Sequence, residues 1–154
     1  MWISDSVEQT LAIGFGLGQS LVQGDVVTLG GDLGAGKTTL VRGLAAGWGA
    51  LDPVTSPTFV LVNVYHRADG AALYHLDCYR LHSAADAAAI GLDDLLDDAA
   101  ALVLEWPEHV LEALPVDRLS LTLVDVGQDA RRLTAAATGP RSARLLAAFS
   151  QRGR

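Results

Sequence analysis

The chain has 154 residues, half of them hydrophobic and 19% charged, with a formal net charge of −7. That length suits one domain, residues 1–154, with a real core, and the composition excludes a disordered chain. No apolar run approaches the ~18 residues that span a bilayer. The acidic balance also argues against direct nucleic-acid binding, which needs a basic patch to neutralise phosphates. Its arginines are scattered, apart from Arg131-Arg132 and the tail's Arg141, Arg144, Arg152 and Arg154. Residues 1–8 carry acids where a signal peptide needs bases, and the single Cys78 cannot form an internal disulfide. Both point to a cytoplasmic protein.

From the N-terminus, Asp5 with Glu8 has the spacing of a capping box, predicting a helix to about Val22 with Leu11, Phe15 and Val22 on or near one face. Asp25 to Leu29 reads as a short buried strand, and Leu40, Val41 and Leu44 as a helix face ending near Gly47-Trp48-Gly49. Thr55-Ser56-Pro57-Thr58 has loop chemistry. Phe59 to His66 and Ala72 to Asp77 read as an antiparallel hairpin turning at Ala68-Asp69-Gly70. Residues 84 to 98 are helical and broken at Gly91, and Ala101 to Glu105 is a buried strand ending in a carboxylate. Leu119, Leu121 and Leu123 alternate with Ser120 and Thr122 in a half-buried strand, with Arg131 to Ala137 as its pairing partner. Pro140 to Phe149 closes the chain as a helix. The sum is an α/β fold of three layers: a sheet of mixed parallel and antiparallel strands with helices on both faces.

The only lysine, Lys37, lies in Gly31-Asp32-Leu33-Gly34-Ala35-Gly36-Lys37-Thr38-Thr39, which satisfies G-x-x-x-x-G-K-[ST]. Glycines let the backbone curl so that N–H groups point at the α- and β-phosphates of a nucleotide. The helix that follows presents its positive end to the same anion. Lys37 adds a charge against the β- and γ-phosphates, and the Thr38 hydroxyl suits Mg²⁺. Asp32 to Thr39 are therefore the expected nucleotide contacts.

Two further carboxylates each end an apolar strand. Glu105 follows Leu102-Val103-Leu104, where a P-loop enzyme places the acid that orients Mg²⁺. Asp77 follows Leu73-Tyr74-His75-Leu76, placed to align or activate water. The alternative for either is a strand-end carboxylate that faces solvent or caps the next turn.

These blocks, together with Ser56-Pro57-Thr58-Phe59, His75-Leu76-Asp77-Cys78-Tyr79-Arg80-Leu81, Gly91-Leu92-Asp93-Asp94 and Leu104-Glu105-Trp106-Pro107-Glu108, resemble the TsaE family. That is the bacterial ATPase family needed for threonylcarbamoyladenosine formation in tRNA. The resemblance covers about Gly30 to Glu108 and leaves the last 40 residues without signature. It implies that Lys37 and Thr38 are the phosphate and Mg²⁺ residues, that Glu105 is a second Mg²⁺ contact, and that Asp77 is required for ATP turnover. Thr39 matches a further family threonine, Trp106 is implied beside the nucleotide, and Ser56, Pro57 and Thr58 are implied to form a switch loop near the γ-phosphate. Cys78 departs from the usual Leu or Val there, a change a strand tolerates.

The expected protein is a weak, Mg²⁺-dependent ATPase binding ATP or ADP and acting as a switch. By resemblance its partners are the threonylcarbamoyl transferase and that enzyme's inactive paralogue, with tRNA met only indirectly and no membrane. No arginine finger is evident, with Arg80 or Arg42 the alternatives, which predicts little turnover by the isolated chain. Arg131 and the N-terminal segment are candidates for the adenine side. A small-molecule kinase would need an arginine-bearing lid, and residues 81–100 are Ala/Asp-rich instead. A non-hydrolysing regulatory module is the other alternative.

Overall fold

The computed structural model describes residues 1–54, 62–98 and 100–152. In chain order the elements are β1 (Trp2–Ser4), α1 (Val7–Ser20), β2 (Val26–Gly30), α2 (Lys37–Trp48), β3 (Val62–His66), β4 (Ala72–Asp77), α3 (Ala84–Ala89), α4 (Leu92–Asp97), β5 (Ala101–Glu105), two 3₁₀ turns (Pro107–His109 and Leu111–Ala113), β6 (Leu119–Gly127), β7 (Ala130–Ala137) and α5 (Pro140–Arg152). The strands form one seven-stranded sheet in the order β1-β7-β6-β2-β5-β4-β3. Its centre is parallel, β4 with β5, β5 with β2 and β2 with β6, while β3, β7 and β1 pair antiparallel at the edges.

The side-chain alternation of the central strands explains the layers. Val27, Leu29, Leu73 and Val103 point into a core shared with Leu17, Leu40, Leu44 and Phe149 of α1, α2 and α5. Their neighbours Val26, Leu102 and Leu104 point the other way, against Ala87 of α3, Leu92 of α4, and Val110 and Leu114 near the 3₁₀ turns. Strands buried on both faces read as continuous apolar runs, which is why β5 shows no polar alternation. The expected α/β class and mixed sheet are as read from the sequence. Gly91, with φ of 79°, separates α3 from α4, as expected.

Helix α1 departs from expectation in two ways. Its cap is Ser6, not Asp5: the Ser6 hydroxyl accepts from the Gln9 N–H at 3.2 Å, and Gln9 Oε1 accepts from the Asp5 N–H at 2.7 Å. Ser6 with Gln9 has the same three-residue spacing as the box first assigned to Asp5 and Glu8. The helix also ends at Ser20, and Phe15 and Val22 are exposed. The buried face is instead Thr10, Gly14, Leu17 and Gly18. Gly14 and Gly18 lie against Leu40 and Leu44 of α2, while Gly43 and Gly47 of α2 receive the Leu11 and Phe15 carbonyls. A Cβ added at any of the four would stand within 2.3 Å of a backbone oxygen, so these two helices meet backbone to backbone.

The sequence reading also missed β1, a three-residue strand paired with Arg131–Leu133 of β7. The β6–β7 hairpin turns at Gln128 and Asp129, both at positive φ (52° and 64°), the combination a two-residue type I′ turn demands. Helix α5 is tied back by Asp25, which is buried and pairs with Arg144 at 2.9 Å and Arg141 at 3.5 Å. No described helix is long and apolar enough to cross a membrane.

Candidate functional site

Strand β2 is buried along four of its five residues and delivers the chain to the carboxyl end of the parallel strands. Ligands of open α/β sheets bind at such an end. There the backbone turns through Gly31, Gly34 and Gly36 at φ of 139°, 82° and 102°, all in the region side chains disfavour. At Gly31 the reason is also steric, because a Cβ would lie 2.5 Å from the Leu123 carbonyl oxygen. At Gly34 a Cβ would meet nothing, so the loop is open on that side. Helix α2 begins at Lys37 with no side-chain cap and no acid in its first turn. Its first N–H groups thus keep their capacity to bind an anion. Asp32 and Leu33 stand exposed at the loop tip, Ala35 is buried, and Thr38 and Thr39 are half-buried in the first helical turn.

Lys37 is buried, and its ammonium donates to the Gly31 carbonyl while lying 3.5 Å from the centre of the Trp106 ring. Burial pushes its pKa below the ordinary lysine value, against the pull of Glu105, Glu108, Asp77 and Asp32, which surround it with negative charge. Trp106 follows Glu105 directly and holds a left-handed conformation (φ 56°, ψ 58°), unusual for a bulky residue. Tyr79 packs edge-on against it with ring centres 5.0 Å apart. The residue expected beside the nucleotide is therefore in contact with the loop's lysine.

The two expected carboxylates come together. Glu105 is in register with Leu29 of β2 on one side and Asp77 of β4 on the other, so both acids close neighbouring strands beside the loop. One Asp77 oxygen accepts from the Tyr79 N–H at 3.0 Å; the other takes no hydrogen bond from the described residues. Glu105 is 5% exposed, with Oε2 at 2.7 Å from His75 Nε2, and His75 Nδ1 is 3.0 Å from the Tyr65 hydroxyl. Sequence reasoning missed His75 and Tyr65. The available signal was a histidine inside the apolar run that ends at Asp77.

The donor set suits a cation that shares its coordination with phosphate. Among the described residues no group of three or more His, Cys, Asp or Glu side chains forms a metal cage. Mg²⁺ needs only one or two carboxylates when phosphate and water complete its shell. Thr38 and Glu105 would supply the protein's share.

Arg131 lies on the loop's outer side, its guanidinium 3.5 Å from the Gly34 carbonyl oxygen and 3.2 Å from Asp125. With Val7, Thr10, Gly36, Thr39 and Asp129 it lines a small cleft of about 50 Å³. The structure thus brings Arg131 and the N-terminal segment to the same edge of the loop. Arg42 and Arg80 are exposed. Ser56, Pro57 and Thr58, the expected switch loop, lie outside the described residues.

Comparison with known proteins places this arrangement in a family. The family model for TsaE, threonylcarbamoyl adenosine biosynthesis protein, matches residues 4–133. The tRNA threonylcarbamoyladenosine biosynthesis protein TsaE of Bacillus subtilis is 38% identical over 141 residues, covering 91% of this chain and 87% of that one. Its counterpart from Treponema pallidum is 40% identical over 134 residues, covering 87% and 98%. The crystal structure of YdiB from Bacillus subtilis superposes with a TM-score of 0.82 at 34% identity, covering 99% of this chain and 95% of that one. On the family match and the matched sequences together, this chain belongs to the TsaE family of tRNA threonylcarbamoyladenosine biosynthesis proteins.

Proposed function

We propose that the protein binds ATP with Mg²⁺, hydrolyses it slowly alone, and acts as a nucleotide-dependent switch on the transferase that installs threonylcarbamoyl on tRNA adenosine. One observation carries this reading: Lys37, the uncapped start of α2, and the carboxylates Asp77 and Glu105 converge at one end of the parallel strands. The loop backbone and α2 would hold the phosphates. Lys37 would exchange the Gly31 carbonyl and the Trp106 face for phosphate oxygens. Bound Mg²⁺, held by Thr38 and Glu105, would neutralise charge on the phosphates. Asp77 keeps one carboxylate oxygen for the attacking water, and catalysis of this kind is largely positioning.

Ser56–Thr58 would report the presence of the γ-phosphate to a partner. The partners proposed are the threonylcarbamoyl transferase and its inactive paralogue, with tRNA reached through them in the cytoplasm. The net charge of −7 supports this indirect contact. Paired substitutions test the assignment. Lys37→Ala should abolish ATP binding, whereas Asp77→Asn should retain binding and lose turnover. Unchanged turnover in Asp77→Asn would favour a nucleotide-binding module without meaningful hydrolysis. Phosphate appearing on a metabolite rather than in solution would favour a kinase.

A further inference from the structure

His75 is wholly buried in β4 among apolar neighbours. Leu73 precedes it by two residues on the same face of the strand, and Val103 stands opposite on β5. Packing alone asks for an aliphatic residue there, since burying an imidazole and the Tyr65 hydroxyl is unfavourable unless each is hydrogen-bonded. Both are bonded in series: Tyr65 hydroxyl to His75 Nδ1 at 3.0 Å, and His75 Nε2 to Glu105 Oε2 at 2.7 Å. An ionised carboxylate only accepts, so Nε2 carries the hydrogen toward Glu105. In the neutral ring Nδ1 is then the acceptor, and the Tyr65 hydroxyl donates to it. The ring is pinned at both nitrogens, and Glu105 at one oxygen. Oε1 of Glu105 accepts from none of the described residues.

From this geometry we infer that His75 is the positioning residue for the magnesium-binding carboxylate: it holds Glu105 by Oε2, its ring anchored at Nδ1 by Tyr65, and leaves Oε1 for the cation. The inference rests on the proposed Mg²⁺–ATP reading and deepens it. Outer residues that orient a metal-binding side chain act on metal affinity. The role therefore shows in the metal-dependent part of nucleotide binding and leaves the metal-free part alone.

The experiment is calorimetric titration with ATP in excess magnesium and again in EDTA, with the thermal midpoint of each variant recorded. In His75→Leu the gain in ATP affinity from magnesium should fall by about 10- to 100-fold, with affinity in EDTA unchanged. His75→Gln places an amide N–H near the Nε2 position and should keep most of the gain. Tyr65→Phe removes the ring's anchor at Nδ1 and should fall between the two. Full magnesium gain in both His75→Leu and Tyr65→Phe would overturn the inference. So would an equal loss with and without magnesium, which marks a merely structural role. If the unsubstituted protein binds ATP equally well with and without magnesium, the Mg²⁺ reading itself fails and this inference falls with it.

Discussion

Substituting alanine at two glycines of α1 should have opposite signs. At Gly18 the new Cβ would stand 1.9 Å from the Leu44 carbonyl oxygen and 2.7 Å from the Trp48 nitrogen, both backbone atoms of α2. Ordinary contact begins near 3.4 Å, so α1 and α2 must part by about 1.5 Å, and no rotamer change can absorb it. Overpacking of this kind costs about 1–3 kcal/mol, and a backbone partner places Gly18→Ala at the upper end. The better helix propensity of alanine returns up to about 1 kcal/mol. The net is a loss of about 2 kcal/mol, or roughly 4–8 °C in Tm for a chain of this size.

Gly16, two residues earlier, faces Arg152 and Phe149 of α5 at 3.8–4.0 Å, which is ordinary contact. Gly16→Ala should keep the propensity gain and raise Tm by roughly 2–4 °C. Thermal unfolding followed by circular dichroism measures both. Because α2 carries Lys37 and Thr38 in its first turn, Gly18→Ala should also weaken nucleotide binding, and Gly16→Ala should not. Stabilisation by Gly18→Ala, or the same sign for both variants, would refute the close-approach argument.

Lys37→Met should stabilise the unliganded fold while abolishing nucleotide binding. Burial lowers the Lys37 pKa in the folded chain, so the folded state holds that proton less tightly than the unfolded one. The penalty is complete below the lowered folded value and disappears as pH rises toward 10.5, so the stability gap between variant and parent should narrow over that alkaline range. Nucleotide that draws Lys37 off the Trp106 ring should shift tryptophan emission, and the shift should vanish in Trp106→Phe although Trp2 and Trp48 remain. The Cys78 thiol is buried and its pKa is pushed up to about 12, first by burial and then by Asp77 and Glu105. At pH 8 its thiolate fraction is about a thousand-fold below that of a free cysteine, so iodoacetamide should label it only on unfolding.

The sequence carried the glycine loop before Lys37 and the two strand-end carboxylates because each sits in a local pattern: glycine spacing in one case, an apolar run ending in an acid in the other. It did not carry what depends on partners distant in the chain. β1 is three residues long and exists through β7, more than 120 positions away. The buried face of α1 escaped because periodicity counts apolar side chains, and this helix buries glycines through backbone contact with α2. His75 escaped because its partner is 30 residues away on the next strand. From sequence Arg131 is only a candidate for the adenine side, and the sheet order, which sets β7 two strands from β2, shows how it comes beside Gly34.

The central claim is that this site turns over ATP in answer to a partner. The direct measurement is phosphate release from Mg²⁺–ATP by the purified protein, alone and with the threonylcarbamoyl transferase pair, using Lys37→Ala as the blank. Slow release alone that rises at least tenfold with the pair is the predicted result. ATP binding with no response to the pair would contradict it.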